Sequence, residues 1–162
     1  MTKTQIIAEP GTQQIVIERE FAAPRELVYR AHTDPELLVQ WYGPRRYITT
    51  IDRHELRDGG VWRYLHRDAE GNVYGFHGVF HGTPSPERGM VRTFEFEGAP
   101  GHVSLETLTL EERNGRTRVR TVSVFQSVAD RDAMVESGME SGVQDGYERL
   151  DELLAGLLTA ER

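Results

Sequence analysis

Hydrophobic and polar residues alternate over most of the chain, and this alternation predicts an antiparallel sheet. Residues 12–21 alternate as a first strand, with Arg19 on its apolar face. Six further strand candidates, separated by turn residues, are 47–56, 60–67, 73–83, 89–97, 102–112 and 116–126. Asn114-Gly115 is the strongest short hairpin signal among the connections. Local hairpins predict a meander rather than parallel strands joined by crossover helices.

Three segments follow a helical period instead. Pro24 stands at a helix start, and Asp34-Pro35 restarts a second short helix that runs through Trp41. Near the C-terminus, apolar residues recur every three or four positions, which predicts one long helix over roughly 128–158.

Three glycines, Gly138, Gly142 and Gly146, follow each other at intervals of four within this long helix. A glycine in a helix interior costs roughly 1 kcal/mol relative to alanine, so three of them need a reason. The row runs along one edge of the apolar stripe. We therefore expect it to border either a cavity or a closely approaching strand backbone.

The order of elements is strand, two short helices, six strands and one long helix, which defines an α+β class. A long sheet with a single amphipathic helix has to bury that helix on one face. The chain shows no linker, repeat or low-complexity tract. We expect one domain over residues 1–162, with an ordered core of roughly 12–158.

Composition narrows the function classes. The chain has 162 residues and a net charge of −7, and it lacks cysteine. The negative charge argues against nucleic-acid or anionic-membrane binding, and no apolar run is long enough for a membrane span, so we expect no membrane insertion. The absence of cysteine excludes disulfides and thiolate chemistry, and it fits a cytoplasmic protein.

Histidines are the first candidates for chemistry. His77 and His81 share a face of one predicted strand, and His66 lies on the neighbouring strand, which suggests a three-histidine metal site. Four residues along a strand span about 13 Å, too far for both side chains to reach one metal. No serine elbow or glycine-rich phosphate loop is present. We therefore predict no metal, no cofactor and no catalytic residues.

Aromatic residues are more informative, because they share faces of neighbouring predicted strands. Large side chains on the sheet opposite missing side chains on the helix favour a small-molecule pocket, with plain core packing as the alternative for each aromatic residue. The predicted ligand-binding residues are Trp41, Trp62, Tyr64, His66, Phe76, Phe94, Phe96, Met139, Val143 and Tyr147.

Four segments resemble, in order, the AHSA-type proteins, a family named after the activator of the heat-shock-protein-90 ATPase. They are REFAAPRELVYRAHTDPELLVQWYGP, LRDGGVWRYLHRDAEGN, VFHGTPSPER and GMESGVQDGYERLDELL. The resemblance covers roughly residues 14–157. In one departure, the helix motif usually carries tryptophan where this chain has Tyr147, a smaller side chain whose hydroxyl needs a partner when buried.

The resemblance implies the START-like (SRPBCC) superfamily and its helix-grip fold. In that fold a curved antiparallel sheet of about six to seven strands wraps around a long C-terminal helix, with two short helices after the first strand. It also implies a cavity between sheet and helix, which in many relatives binds apolar small molecules.

Three functions remain open at this stage. The first is binding of a small apolar or amphipathic ligand in that cavity. The second is an enzyme of the polyketide cyclase or hydrolase type, with His66, Tyr64 and Arg19 as its polar candidates. The third is a chaperone ATPase co-factor, by family analogy. A homodimer through the glycine row or an unpaired sheet edge is left open.

Overall fold

The computed structural model of the protein describes residues 3–160. The elements in chain order are β1 (Gln5–Ile7), β2 (Gln14–Phe21), α1 (Arg25–Thr33), α2 (Pro35–Trp41), β3 (Ile48–His54), β4 (Val61–Arg67), β5 (Val73–Ser85), β6 (Gly89–Phe96), β7 (Val103–Arg113), β8 (Arg116–Val124), α3 (Val128–Glu136) and α4 (Met139–Ala160).

The eight strands form one antiparallel sheet in the order β1-β2-β8-β7-β6-β5-β4-β3. Strands β3 to β8 follow each other through local hairpins, as their turn residues predict. Asn114 and Gly115 form the two-residue β7–β8 turn, both with positive φ, as such hairpins require. The predicted α+β helix-grip fold is confirmed, with one strand more than expected. That strand, β1, has three residues, too few for a visible alternation.

The inner face of the sheet, the face that carries Phe21, Tyr64 and Phe80, packs against α4. Phe21 meets the ring of Tyr147 edge-on, at a centroid distance of 5.2 Å. Arg19 on the same face pairs with Asp151 of α4, with 3.0 Å between Nη2 and Oδ2. These contacts show which side of α4 faces the sheet.

The long C-terminal helix of the prediction is wrong in one respect, because it is two helices. Ser137 caps the end of α3, and Gly138 adopts a left-handed φ of 86° before α4 begins at Met139. Glycine is the usual residue at such a helix end, since it carries no Cβ to clash. Residues Val135 and Met139 keep the four-residue spacing across the break, so the apolar pattern hides it.

The other two glycines of the row pack on the loop between α2 and β3, not on a strand. A Cβ at Gly146 would lie 3.4 Å from the carbonyl oxygen of Trp41 and 3.5 Å from the backbone nitrogen of Gly43. A Cβ at Gly142 would lie 3.2 Å from Cγ of Pro44. The expected contact between the glycine row and a strand backbone is therefore wrong. Helix α4 instead packs against the end of α2 and the loop that follows it.

Hydrogen bonds from two arginine residues stabilise this contact between α4 and the loop. Arg149 of α4 donates to the carbonyl oxygens of Gly43 and Gln40, both at 2.9 Å. These carbonyls lie at the C-terminal end of α2, where a cation also complements the helix dipole. The backbone nitrogen of Arg45 donates to Asp145 Oδ2 at 2.7 Å.

Trp62 crosses strand β5 on the inner face. Its indole Nε1 donates to the carbonyl oxygen of Thr93 on β6, at 3.1 Å. Gly78 of β5 pairs with Trp62, and a Cβ there would lie 2.7 Å from that Nε1. The Val79 nitrogen meanwhile donates to Thr93 Oγ1 at 2.9 Å. Glycine is thus required at position 78 by close approach.

Candidate ligand-binding site

A buried arginine lies at the centre of the inner face. Arg92 on β6 is opposite Glu106 on β7, and its Nε donates to Glu106 Oε1 at 2.8 Å. Its Nη2 donates to the Tyr42 hydroxyl at 3.1 Å, and its guanidinium lies 4.2 Å from the ring centroid of Trp62. The charge is therefore compensated by a carboxylate and by an aromatic face, as a buried cation requires.

A chain of hydrogen bonds continues from this centre to helix α1. His54 Nε2 contacts the Thr33 carbonyl oxygen at 2.7 Å, and His54 Nδ1 contacts the Tyr64 hydroxyl at 2.8 Å. A carbonyl oxygen can only accept, so in the neutral ring Nε2 carries the proton and Nδ1 accepts from Tyr64. Burial lowers the pKa of His54 and raises that of Tyr64, which favours this neutral arrangement.

The middle of the space between sheet and α4 is filled by side chains. Tyr147 lies between Phe21 and Trp41, and burial raises its pKa to about 12 against the opposing effect of its hydrogen bond with Thr121. The hydroxyl of Tyr147, which replaces the tryptophan usual in the family motif, thus has a hydrogen-bond partner inside the protein. Beside it, the buried Arg19 is neutralised by Asp151.

His66 is buried against the loop before β3. Its ring stacks on Tyr47 at a centroid distance of 5.4 Å and meets Phe76 at 4.9 Å. A Cβ at Gly43 would lie 2.8 Å from Nε2, so this nitrogen faces the loop backbone. It has no hydrogen-bond partner among the described residues, and burial lowers the pKa of His66 to about 4.

One end of the space remains partly exposed and apolar. Phe76 meets Phe94 and Phe96 at centroid distances of 5.5 and 5.2 Å, and all three side chains are half-buried. Met139 and Val143 are half-buried as well, and they lie on the stripe of α4 that continues to Tyr147.

Two surface hollows lie outside this space. One of about 540 Å³ lies between α1 and the β5–β6 turn, and its lining includes Leu27, Tyr29 and Pro86. Another of about 250 Å³ lies at the end of the sheet and is lined in part by Leu105 and Val124. Both are open to solvent rather than enclosed between sheet and helix.

The predicted binding residues thus fall into two groups. The buried group packs within the core and consists of Trp41, Trp62, Tyr64, His66 and Tyr147. The half-exposed group consists of Phe76, Phe94, Phe96, Met139 and Val143. Ligand contact by either group stays a prediction.

Neither Glu106 nor its pairing with Arg92 was predicted from the sequence. A signal was present: the two residues lie at nearly equal distances from the turn between the strand candidates 89–97 and 102–112, which places them opposite each other on one face.

The three-histidine hypothesis fails on geometry as well as on spacing. His66 lies on the inner face, whereas His77 lies on the outer face, where its Nδ1 is 2.8 Å from Glu97 Oε2. Within residues 3–160, no group of three or more histidine, cysteine or acidic side chains could hold a metal ion. None of the helices described there is long and apolar enough to cross a membrane.

An antiparallel sheet that packs around a C-terminal helix, with two short helices between its strands, defines the helix-grip class of START-like proteins. The chain belongs to the family described as activator of Hsp90 ATPase homolog 1-like protein, whose model matches residues 22–155.

Solved structures of similar proteins agree with this assignment. A protein from Rhodobacter sphaeroides is 28% identical, with a TM-score of 0.86 over 95% of this chain and 99% of that one. A protein from Arthrobacter aurescens is 27% identical, with a TM-score of 0.85 over 94% and 91% of the two chains. A protein from Mycobacterium smegmatis, 24% identical over 95% and 97%, shares the fold with a TM-score of 0.84. No curated protein matches the chain.

Proposed function

We propose that the protein binds a small apolar or amphipathic molecule at the half-exposed end of the space between the sheet and α4. The observation that carries the proposal is a set of half-buried apolar side chains on both the sheet and α4. Three phenylalanines on β5 and β6 and two aliphatic side chains on α4 remain half-exposed beside a fully buried core. Apolar side chains left partly exposed beside a buried core are typical of ligand and interaction sites.

The family supports a ligand-binding role for the domain. An enzyme that uses the same site is less well supported, because two of its three polar candidates already have protein partners and the third is buried against a loop. Tyr64 donates to His54, Arg19 pairs with Asp151, and His66 faces the Gly43 backbone. Association with a chaperone is supported by the family name alone, and a pull-down with Hsp90 would test it.

The experiment compares one substitution on the two sides of helix α4. Val143→Trp fills the half-exposed end, whereas Gln144→Trp places the same side chain on the solvent side. Wild-type protein and both variants are tested by thermal shift and native mass spectrometry against a panel of lipids and aromatic metabolites.

We expect at least one class of ligand to stabilise the wild type and the Gln144→Trp variant but not the Val143→Trp variant. If no member of the panel binds wild-type protein, the proposed function is wrong. If both variants bind as the wild type does, a ligand binds elsewhere.

A further inference from the structure

We infer that the ligand carries a hydrogen-bond donor, a hydroxyl or a protonated amine, and that Glu106 recognises it. This inference rests on the proposed function and names the ligand class for the same site. It follows from how the charges next to the half-exposed phenylalanines are distributed.

The positive charges on the inner face are buried, and each is paired with a carboxylate. Arg92 uses Nε for Glu106 and Nη2 for Tyr42, and its guanidinium lies on the face of Trp62. Arg19 is bound to Asp151 and is 7% exposed. Arg19 Nε has no partner, but it is fully buried, and the Arg92 side chain is only 10% exposed. Neither guanidinium therefore presents an accessible donor pair, which is what a ligand carboxylate needs.

Among the described residues, only one oxygen of the Glu106 carboxylate accepts a hydrogen bond. Oε1 accepts from Arg92, while Oε2 has no hydrogen-bond partner among the described residues. The side chain is 19% exposed, against 10% for that of Arg92, so Glu106 is the more accessible member of the pair. Its charge also contributes to the raised pKa values of Tyr42 and Tyr147. Because Tyr147 belongs to α4, the carboxylate lies within electrostatic reach of that helix.

Neighbouring side chains make this end polar without adding charge. Ser123 on β8 pairs with Glu106, and Ser104 lies two residues before Glu106 on the same face of β7. Both serines are buried. A ligand hydroxyl or ammonium can donate to Oε2 here, whereas a ligand carboxylate would meet a like charge.

The length of the ligand follows from strand β6. Arg92, Phe94 and Phe96 alternate along one face of it, from the polar centre to the half-exposed end. Four strand residues span about 13 Å. The apolar body of the ligand therefore has the size of one or two fused rings with a short tail that ends in the donor.

The test uses three probes with one aromatic body and different head groups, namely naphthylethanol, naphthylethylammonium and naphthylacetate. Their affinities for the full-length protein are measured by isothermal titration. We expect the alcohol and the ammonium to bind wild-type protein at least roughly tenfold more tightly than the acetate, the ratio that one charge-assisted hydrogen bond provides.

The variant Glu106→Gln removes the charge and keeps a carbonyl oxygen for Arg92. It should lower ammonium affinity roughly tenfold and raise that of the acetate. Glu111→Gln is the control, since it makes the same change on the exposed face of β7.

The outcomes separate this inference from the proposed function. If none of the three probes binds the wild type and the broader ligand panel also fails, the proposed function itself falls. If the probes bind but the wild type shows no preference among head groups, or prefers the acetate, the role of Glu106 is wrong while the site stands. This comparison within the wild type remains decisive even if Glu106→Gln does not fold.

Discussion

The contact between Gly146 and the loop after α2 predicts opposite effects for one substitution at two glycines of the same helix. A Cβ at position 146 would lie 3.4 to 3.6 Å from backbone atoms of Trp41 and Gly43, which is ordinary contact distance. Gly156 has nothing within 4 Å of such a Cβ. Alanine therefore fits at both positions, while leucine fits at Gly156 and not at Gly146.

The magnitudes follow from two effects. Either glycine replaced by a good helix former gains about 1 kcal/mol from helix propensity. Gly146→Leu also forces the loop away from α4, and such overpacking costs about 1–3 kcal/mol. We expect the free energy of unfolding of the Gly146→Leu variant to lie about 1–3 kcal/mol below that of the Gly156→Leu variant.

Urea denaturation followed by tryptophan fluorescence measures the difference. With a denaturant slope typical of small domains, the two midpoints should differ by about 0.5–1.5 M. Gly146→Ala and Gly156→Ala serve as controls, and both should be at least as stable as the wild type. If the two leucine variants unfold at the same urea concentration, the close approach does not constrain α4.

Two further predictions concern backbone conformation and pH. Gly138→Ala should destabilise the protein by about 1–2 kcal/mol in the same urea assay, because an L-residue is strained at the positive φ of this helix end; a gain in stability would contradict the break between α3 and α4. His66 has a pKa of about 4 in the folded protein against an ordinary 6.5, so the unfolded chain binds more protons and stability is lost as the pH falls from 6.5 to 4. His66→Phe should reduce this loss by up to about 1.4 kcal/mol per pH unit, and unchanged pH profiles of the free energy of unfolding would refute the burial of a neutral ring.

Most of the sheet could be predicted because its strands alternate and its turns carry glycine, asparagine and proline. The break at Gly138 could not, because a glycine that ends one helix looks like a glycine inside a longer one when the apolar spacing continues. The partner of Gly146 was also out of reach, since nothing in the local sequence shows that the loop after Trp41 lies across α4.

The candidate site, like the fold, could be predicted from the sequence only in part. Alternation correctly placed Phe94 and Phe96 on one face of their strand, because a strand has a period of two. It could not show that Trp62 and Tyr64 are fully enclosed, since alternation separates faces but not depth within a face. That depth depends on Tyr42 and Arg92, which contact these rings from other parts of the chain.

The crossing of β5 by Trp62 also determines the alignment of the central strands. A slip of β4 against β5 by two residues would keep every side chain on its proper face, so the alternation of apolar and polar residues does not oppose it. Such a slip would bring Phe76 or Phe80 opposite Trp62 in place of Gly78. The indole could then no longer reach the carbonyl oxygen of Thr93, and a buried N–H would lose its acceptor at a cost of about 1–3 kcal/mol. One tryptophan and one glycine thus discriminate the native strand register from the nearest alternative that hydrophobicity would accept.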